Sequence, residues 1–572
     1  MSFDNNQKVK RGENMKTESK KRKLASLMAI IVTLITGVVL SGQSTSNDNI
    51  QPAFKYPEQL SGKNEWKPGT ICIDFRKAGK EAVKESMIPV RPGIPGKMPF
   101  WNSYSRQFIY APSFDLKNIE GAKKYKFTVT AGDTSEYSFI ADKPWADLSP
   151  VWTKIPVGFV SLKVQGIDDE GKPLGLAGFR KFYKASCYQG PYHQKVLDYG
   201  YSAKRALEYV YNQAYIQNWR LNAAPDSTYD LYCYPSKIIG AVVGNMLVYG
   251  KLFPADAGDA LAIAKNAANY LISISEPQGG PLEYFPPTYR GEARVAKQFK
   301  YQFMTIYPAD VAGHYLDLFD VTGDSTYYHA AVHIADTYLK LQLPSGTWML
   351  KLWKSGEPVS DNVCIPLPIV KLFDRLMVQY RSDKYQQTRD KAFNWIMDNP
   401  IRTYSWAGQF EDNITHAPPY KNMTEHQACE FAMYLLDRVG ENPGYKDIAE
   451  ELVRFSEDQF LVWEKPMPQE GIKVDEWITP CGLEQYGYYV PIDASASKFI
   501  ETFLKAWQVT GKKLYLVKAT ELANTMTVAQ ISETGRYPTY WENNDKKLQE
   551  GWLNCTLFDV RAMLKIAEFT NQ

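Results

Sequence analysis

The sequence lacks the signatures of several large function classes. It contains no P-loop, no Rossmann fingerprint and no HExxH helix, so the usual nucleotide sites and the zincin metal site are not expected. Its seven cysteines (Cys72, Cys187, Cys233, Cys364, Cys429, Cys481 and Cys555) never form a CxxC pair. That spacing argues against a structural zinc site and against a dense disulfide framework; buried thiols are expected instead. His416 and His426 are ten positions apart and form no zinc-ligand pattern, so no metal and no cofactor are expected. Charge of one sign is also missing: the formal net charge is +3, too near balance for a nucleic-acid binder.

What is present describes a large globular protein. Hydrophobic residues make up 44% and charged residues 23% of 572 positions, enough for a sizeable core and more than one domain. Aromatic residues reach 14%, and their placement matters below.

Residues 1–42 read as a secretory signal. Lys20-Lys21-Arg22-Lys23 precedes an apolar run from Leu24 to Leu40, then Ser41-Gly42, and Met15 is an alternative start. The run is at the lower length limit for a membrane span, so a retained anchor is the second reading. Gln43 stands where a lipoprotein would carry its lipidated cysteine. An exported protein is expected, periplasmic, cell-surface or secreted, touching membrane only through such an anchor. Residues 43–66 are polar and read as a linker.

Residues 67–186 change to period two. Tyr125–Val129, Glu136–Ile140 and Phe159–Val164 alternate, and Asp168-Asp169-Glu170-Gly171 marks a turn. The pattern predicts an antiparallel β-sandwich.

From 190 to 572 helical periodicity takes over. One complete unit runs from Tyr307 to Asp361. Ala309–Asp320 is apolar nearly all round, as a buried helix is. Thr322-Gly323-Asp324 stops it, and Ser325–Gln342 is apolar on one side only. A long loop with Trp348, Trp353 and Asp361 follows. The same alternation recurs along the chain. Buried-type helices are expected at Ile238–Phe253, Ala309–Asp320, Val363–Tyr380, Thr424–Arg438, Asp493–Val509 and Thr556–Phe569. Amphipathic helices are expected at Asp198–Gln217, Asp256–Ser273, Ser325–Gln342, Tyr385–Asp398, Tyr445–Leu461 and Leu514–Gln530. Tight turns recur about every 60 residues, and every return passes through a long loop. Six long loops on one face of six hairpins describe an (α/α)6 toroid. The expected fold is α+β and multidomain, a β-sandwich followed by that toroid.

The loops carry the chemistry. Their aromatics include Tyr289, Trp348, Trp406, Trp477, Tyr486, Tyr488 and Trp541. Aromatic faces stack on the apolar faces of sugar rings, and their polar tips bond hydroxyls. Carboxylates share the face, among them Glu283, Glu411, Asp412, Glu476 and Glu484, with Asp361 and Glu425 near starts of buried helices. Glycoside hydrolysis needs one protonated and one ionised carboxyl. The expected catalytic residues are Asp412, Glu484, Asp361 and Glu425. Asp361 reads equally as a helix cap, and Glu425 as a first-turn acid favoured by the dipole. Arg290 and His416 complete the expected substrate contacts.

This organisation resembles the six-hairpin glycosidase superfamily. Pro99-Phe100-Trp101-Asn102 and Trp152-Thr153-Lys154-Ile155-Pro156-Val157-Gly158, followed by the toroid, resemble exported Bacteroidetes glycoside hydrolases of glucuronidase type. The resemblance spans about Tyr56 to Gln572. It implies hydrolysis of an oligo- or polysaccharide, uronate-containing, in a cleft made by the six loops. The alternative enzyme on such a scaffold is a polysaccharide lyase or uronate C5-epimerase, using Tyr486, Tyr488, His416 and Arg290. The non-enzymatic alternative is a glycan-binding protein.

Overall fold

The computed structural model describes residues 74–91, 101–411, 420–542 and 551–570. The expected signal and linker lie outside them, as do Asp412 and His416. Residues Ala53–Gln572 belong to one compact unit. Among the described residues no helix is long and apolar enough to cross a membrane.

Six helices form an inner wall: Gly240–Leu252, Tyr307–Thr322, Leu367–Tyr380, His426–Leu436, Asp493–Thr510 and Leu553–Thr570. Each packs on the next, and the last packs on the first, so the ring is closed. Six outer helices back them: Tyr199–Tyr211, Ala257–Ile274, Ser325–Leu341, Gln386–Asp398, Tyr445–Phe460 and Lys513–Ala529. Tyr199–Tyr211 lies against Leu553–Thr570, which joins the two ends of the chain into the sixth hairpin. The architecture is an (α/α)6 toroid, with all twelve expected helices present.

Local chemistry sets the chain direction. The Tyr307 helix stops at Gly323, whose φ of 68° suits glycine. Asp324 then caps the next helix by accepting the Thr326 N–H at 3.0 Å. Inner helices are left through tight turns and entered from long loops. Their N-termini therefore gather at the loop end of the ring.

The ring axis is polar. Lys371 pairs with Glu430 at 2.7 Å, Lys498 pairs with Glu430, and Arg375 pairs with Asp317 at 2.7 Å. Asp310 projects from the first turn of the inner helix Tyr307–Thr322. Enclosure pushes the Asp310 carboxyl up to about 7.

The expected β-sandwich is replaced by a single five-stranded sheet among the described residues. Its strands are β1 (Gln107–Phe108), β2 (Lys124–Ala131), β3 (Glu136–Ala141), β4 (Gly158–Ile167) and β5 (Pro173–Lys184), ordered β1-β5-β4-β2-β3. Pairing is antiparallel except for β1 with β5. Phe127, Val129, Leu162, Val164 and Phe182 form the buried face. Irregular chain covers it: Phe114 packs edge-on to Phe108 of β1, and Trp152, from a short helical turn, stacks on Phe182. Alternation reports one dry face and does not say what dries it. A helix, Phe75–Ser86, also stands where only strands were expected. Lys518 clamps it to the ring, 2.7 Å from both Glu85 and Glu457.

The sheet is docked on the toroid through Asp458. Its buried carboxylate accepts the Ile109 and Tyr110 N–H groups at 2.6 and 2.7 Å. Trp101 stacks on Phe455 of the same outer helix at 6.1 Å.

Candidate active site

The loop end holds a cavity of about 1240 Å³. Its lining includes three carboxylates, Asp361, Glu411 and Glu484, and the aromatics Phe410, Tyr486, Tyr488, Tyr540 and Trp552. Lys237, Arg294, Arg106 and Lys421 supply positive charge.

Glu411 is the most elaborately held of the acids. Lys237 donates to its Oε1 at 2.7 Å, and the Tyr307 hydroxyl donates to Oε2. Its main-chain oxygen accepts from the Tyr289 hydroxyl at 2.7 Å and from Lys351 Nζ at 3.0 Å. The four donors come from three successive connections of the ring, Tyr289 and Tyr307 sharing one. Lys237 sits in the π-helical turn Pro235–Ile239 ahead of an inner helix. Tyr307 is the first residue of the next inner helix, and Lys351 lies in a short strand, Lys351–Trp353. Burial raises the Glu411 carboxyl, but the Lys237 ammonium and the two side-chain hydrogen bonds outweigh it. The carboxyl lies below its ordinary range and is ionised. Lys237 also sits 4.6 Å from the Trp552 ring, which supplements its environment.

Glu484 lies in strand Cys481–Gln485, paired antiparallel with Tyr488–Pro491. Its main-chain oxygen accepts from Thr424 Oγ1 at 2.9 Å. Asn422 holds the turn of this hairpin, donating to Gln485 at 2.6 Å and accepting the Gly487 N–H at 2.8 Å. Gly482 makes the approach to the next inner helix possible. A Cβ there would lie 2.8 Å from Ala496 N and from Ser495. Asp361 reaches the cavity from the loop after Trp353 and is exposed.

Of the expected catalytic residues, Glu484 and Asp361 meet in the cavity and Asp412 lies outside the described residues. Glu425 does not line the cavity. It is buried ahead of the His426 helix with Oε2 3.1 Å from Thr424 Oγ1, and burial pushes its carboxyl to about 7.

The expected substrate contacts divide more sharply. Tyr486 and Tyr488 line the cavity, and His416 lies outside the described residues. Trp348, Trp406 and Trp541 are completely buried and pack the loops onto the scaffold. Trp348 donates to Tyr338 O at 2.9 Å and packs on Phe373, and Trp406 packs on Phe431. Trp477 is buried and bridges the Glu542 backbone. Tyr289 is buried behind Glu411, which it supports rather than touching ligand. Arg290 is exposed, 5.9 Å from the Tyr270 ring, and is absent from the cavity lining. These corrections share one cause. A loop aromatic can fill the gap under its own loop as readily as it can face the cleft.

Sequence reasoning passed over Lys237 and Arg106, and it ranked Asp412 above its neighbour Glu411. A lysine heading an otherwise apolar helix is the one signal that pointed to Lys237.

A closed ring of six hairpins with an acid-lined, aromatic cavity at its loop end defines the class: an (α/α)6-toroid protein. No protein-family model matches the chain, and no curated protein matches it. Solved structures do match over most of the length. A family 76 glycoside hydrolase from a bovine Bacteroides thetaiotaomicron strain is 10% identical, covering 78% of this chain and 93% of its own, with a TM-score of 0.43. A D-mannose isomerase is 12% identical, covering 66% and 100%, with a TM-score of 0.45. An unsaturated glucuronyl hydrolase specific for heparin is 13% identical, covering 65% and 97%, with a TM-score of 0.41. At such values these matches decide neither the fold, which rests on the helix contacts above, nor the chemistry.

Proposed function

We propose that the chain is a glycoside hydrolase acting on a glycan in the loop-end cavity. One observation carries this reading: Glu411, Glu484 and Asp361 line the same aromatic cavity. Glu411 is held ionised and suits the base or nucleophile. Glu484, half-buried between the loops, suits the proton donor, and Asp361 orients substrate or water. Tyr488 and Tyr540 offer partly open faces for sugar stacking.

The lyase or epimerase reading needs a free phenol or imidazole as base. Tyr486 serves it poorly, because its hydroxyl donates to Gln459 and burial pushes the phenol up. Export, proposed from the basic and apolar N-terminus, accords with an extracellular glycan.

The test is a panel of oligosaccharides assayed for new reducing ends and, separately, for ultraviolet absorbance of unsaturated uronides. Glu411→Gln and Glu484→Gln are expected to lower reducing-end release by about a hundredfold or more; melting stays unchanged in Glu484→Gln and falls in Glu411→Gln, which leaves Lys237 without its counter-ion. Absorbance without hydrolysis would move the assignment to a lyase. Binding without either product would make the protein a glycan receptor.

A further inference from the structure

The toroid does not build the whole cavity. Ser103, Tyr104 and Arg106, from the segment leading into β1, line it too. That segment is fixed at both ends. Trp101 is held between Phe455 and Phe108, stacking on the first and edge-on to the second at 5.2 Å. The Asn102 side chain accepts the Tyr104 and Ser105 N–H groups at 2.8 and 3.2 Å. Arg180 of β5 donates to the Asn102 and Ser105 main-chain oxygens at 2.7 and 2.8 Å. The Arg106 main-chain oxygen accepts the Tyr183 N–H at 2.8 Å, which sets the residue at the sheet edge.

The Arg106 guanidinium lies 4.6 Å from the Tyr489 ring centroid, on the hairpin that also carries Glu484. It is exposed to the cavity, and no carboxylate among the described residues forms an ion pair with it. Other, more buried arginines carry such partners: Arg91 with Glu451, Arg375 with Asp317 and Asp320, Arg438 with Asp374. A guanidinium stacked on an aromatic ring has lost much of its freedom before ligand arrives. Its planar fork matches an anionic substituent.

We propose that the sheet domain supplies a binding subsite of the cavity, with Arg106 gripping a carboxylate or sulfate substituent of the glycan and Tyr104 flanking it. Arg106 is then a specificity-determining residue contributed from outside the toroid. The inference rests on the glycan reading of the same cavity.

The experiment measures binding rather than turnover, so it can fail separately from the hydrolase assignment. Calorimetric titrations use three probes: a uronate-containing, a sulfated neutral-sugar and an uncharged tetrasaccharide. They are run on the full chain, on Arg106→Ala and on Arg106→Lys, each with its melting temperature checked. Tighter binding of one anionic probe by the parent chain is expected, and which one binds identifies the substituent. Arg106→Ala is expected to weaken that probe by about ten- to a hundredfold while leaving the uncharged probe unchanged, with Arg106→Lys between the two. Equal loss for charged and uncharged probes would assign Arg106 a structural role and overturn the inference. So would unchanged binding in Arg106→Ala, or no preference of the parent chain for either anion. Glu484→Gln, titrated in parallel, is expected to keep the anion preference.

Discussion

Lys237 Nζ lies 2.7 Å from Glu411 Oε1, although 174 positions separate the two residues in the chain. The pair joins the head of one inner helix to a loop three hairpins further on. It keeps a buried acid ionised at the edge of the cavity.

Breaking that pair should cost both stability and turnover. Lys237→Met leaves the Glu411 charge without its counter-ion, so a loss of about 3 kcal/mol is expected in urea titration. This is the low end for a buried pair, because the Lys237 side chain keeps 18% exposure. The sign of the pH dependence follows from the depressed Glu411 carboxyl. Its contribution is present above the ordinary value of 4.5 and is lost as pH falls through the lower folded value. Glu411→Gln should flatten this acid limb.

Asp458 has the opposite sign. Burial is the main cause lifting its carboxyl from the ordinary 3.8 to about 7. Its contribution is therefore full below pH 3.8 and is lost as pH rises to about 7. Asp458→Asn keeps one acceptor for the Ile109 and Tyr110 N–H groups and should remove this neutral-pH loss. Asp458→Ala should instead loosen the sheet from the ring, read as faster amide exchange at Ile109 and Tyr110. Unchanged exchange would mean the sheet is held without it.

The loop aromatics should separate into two behaviours. Trp406→Ala opens a void in a fully buried site, and a loss of about 3–5 kcal/mol is expected. Tyr540→Ala and Tyr488→Ala should leave the melting temperature nearly unchanged and raise KM. A Trp406 variant of parental stability would contradict this division.

Gly482→Ala tests how Glu484 is placed. The added methyl would press on Ala496 N and Ser495, forcing the strand off the inner helix. Turnover is expected to fall more than substrate binding, because Glu484 moves while the aromatic walls stay. Equal kcat in the two proteins would show that the strand absorbs the methyl.

Much of the fold was legible because its signals are local. Six apolar helices alternating with six one-sided helices each announce how much of their surface must be dry. Gly323 and Asp324 state where one ends and the next begins, and the structure places those helices within a few residues of expectation. The sheet was half legible. Tyr125, Phe127 and Val129 declared a buried face, but the layer over it is irregular chain and Trp152, which carries no period to read. The helix at Phe75–Ser86 was missed because its buried stripe is made of small residues, Ala78, Ala82 and Ser86, among charged ones, and it is held by the distant Lys518.

The site was the least legible part. Glu484, Asp361, Tyr486 and Tyr488 could be picked from the loops. Trp348, Trp406 and Trp541 were picked by the same reasoning and turned out to be packing. The sequence by itself determined the ring, since helix period, caps and loop lengths act between residues close in the chain. Only the tertiary structure decided which loop side chains face the cavity, that Lys237 and Tyr307 hold Glu411, and that Arg106 of the sheet domain joins the wall. Those choices depend on contacts between residues far apart in the chain, where burial and charge pairing are settled by the closed ring and not by any local pattern.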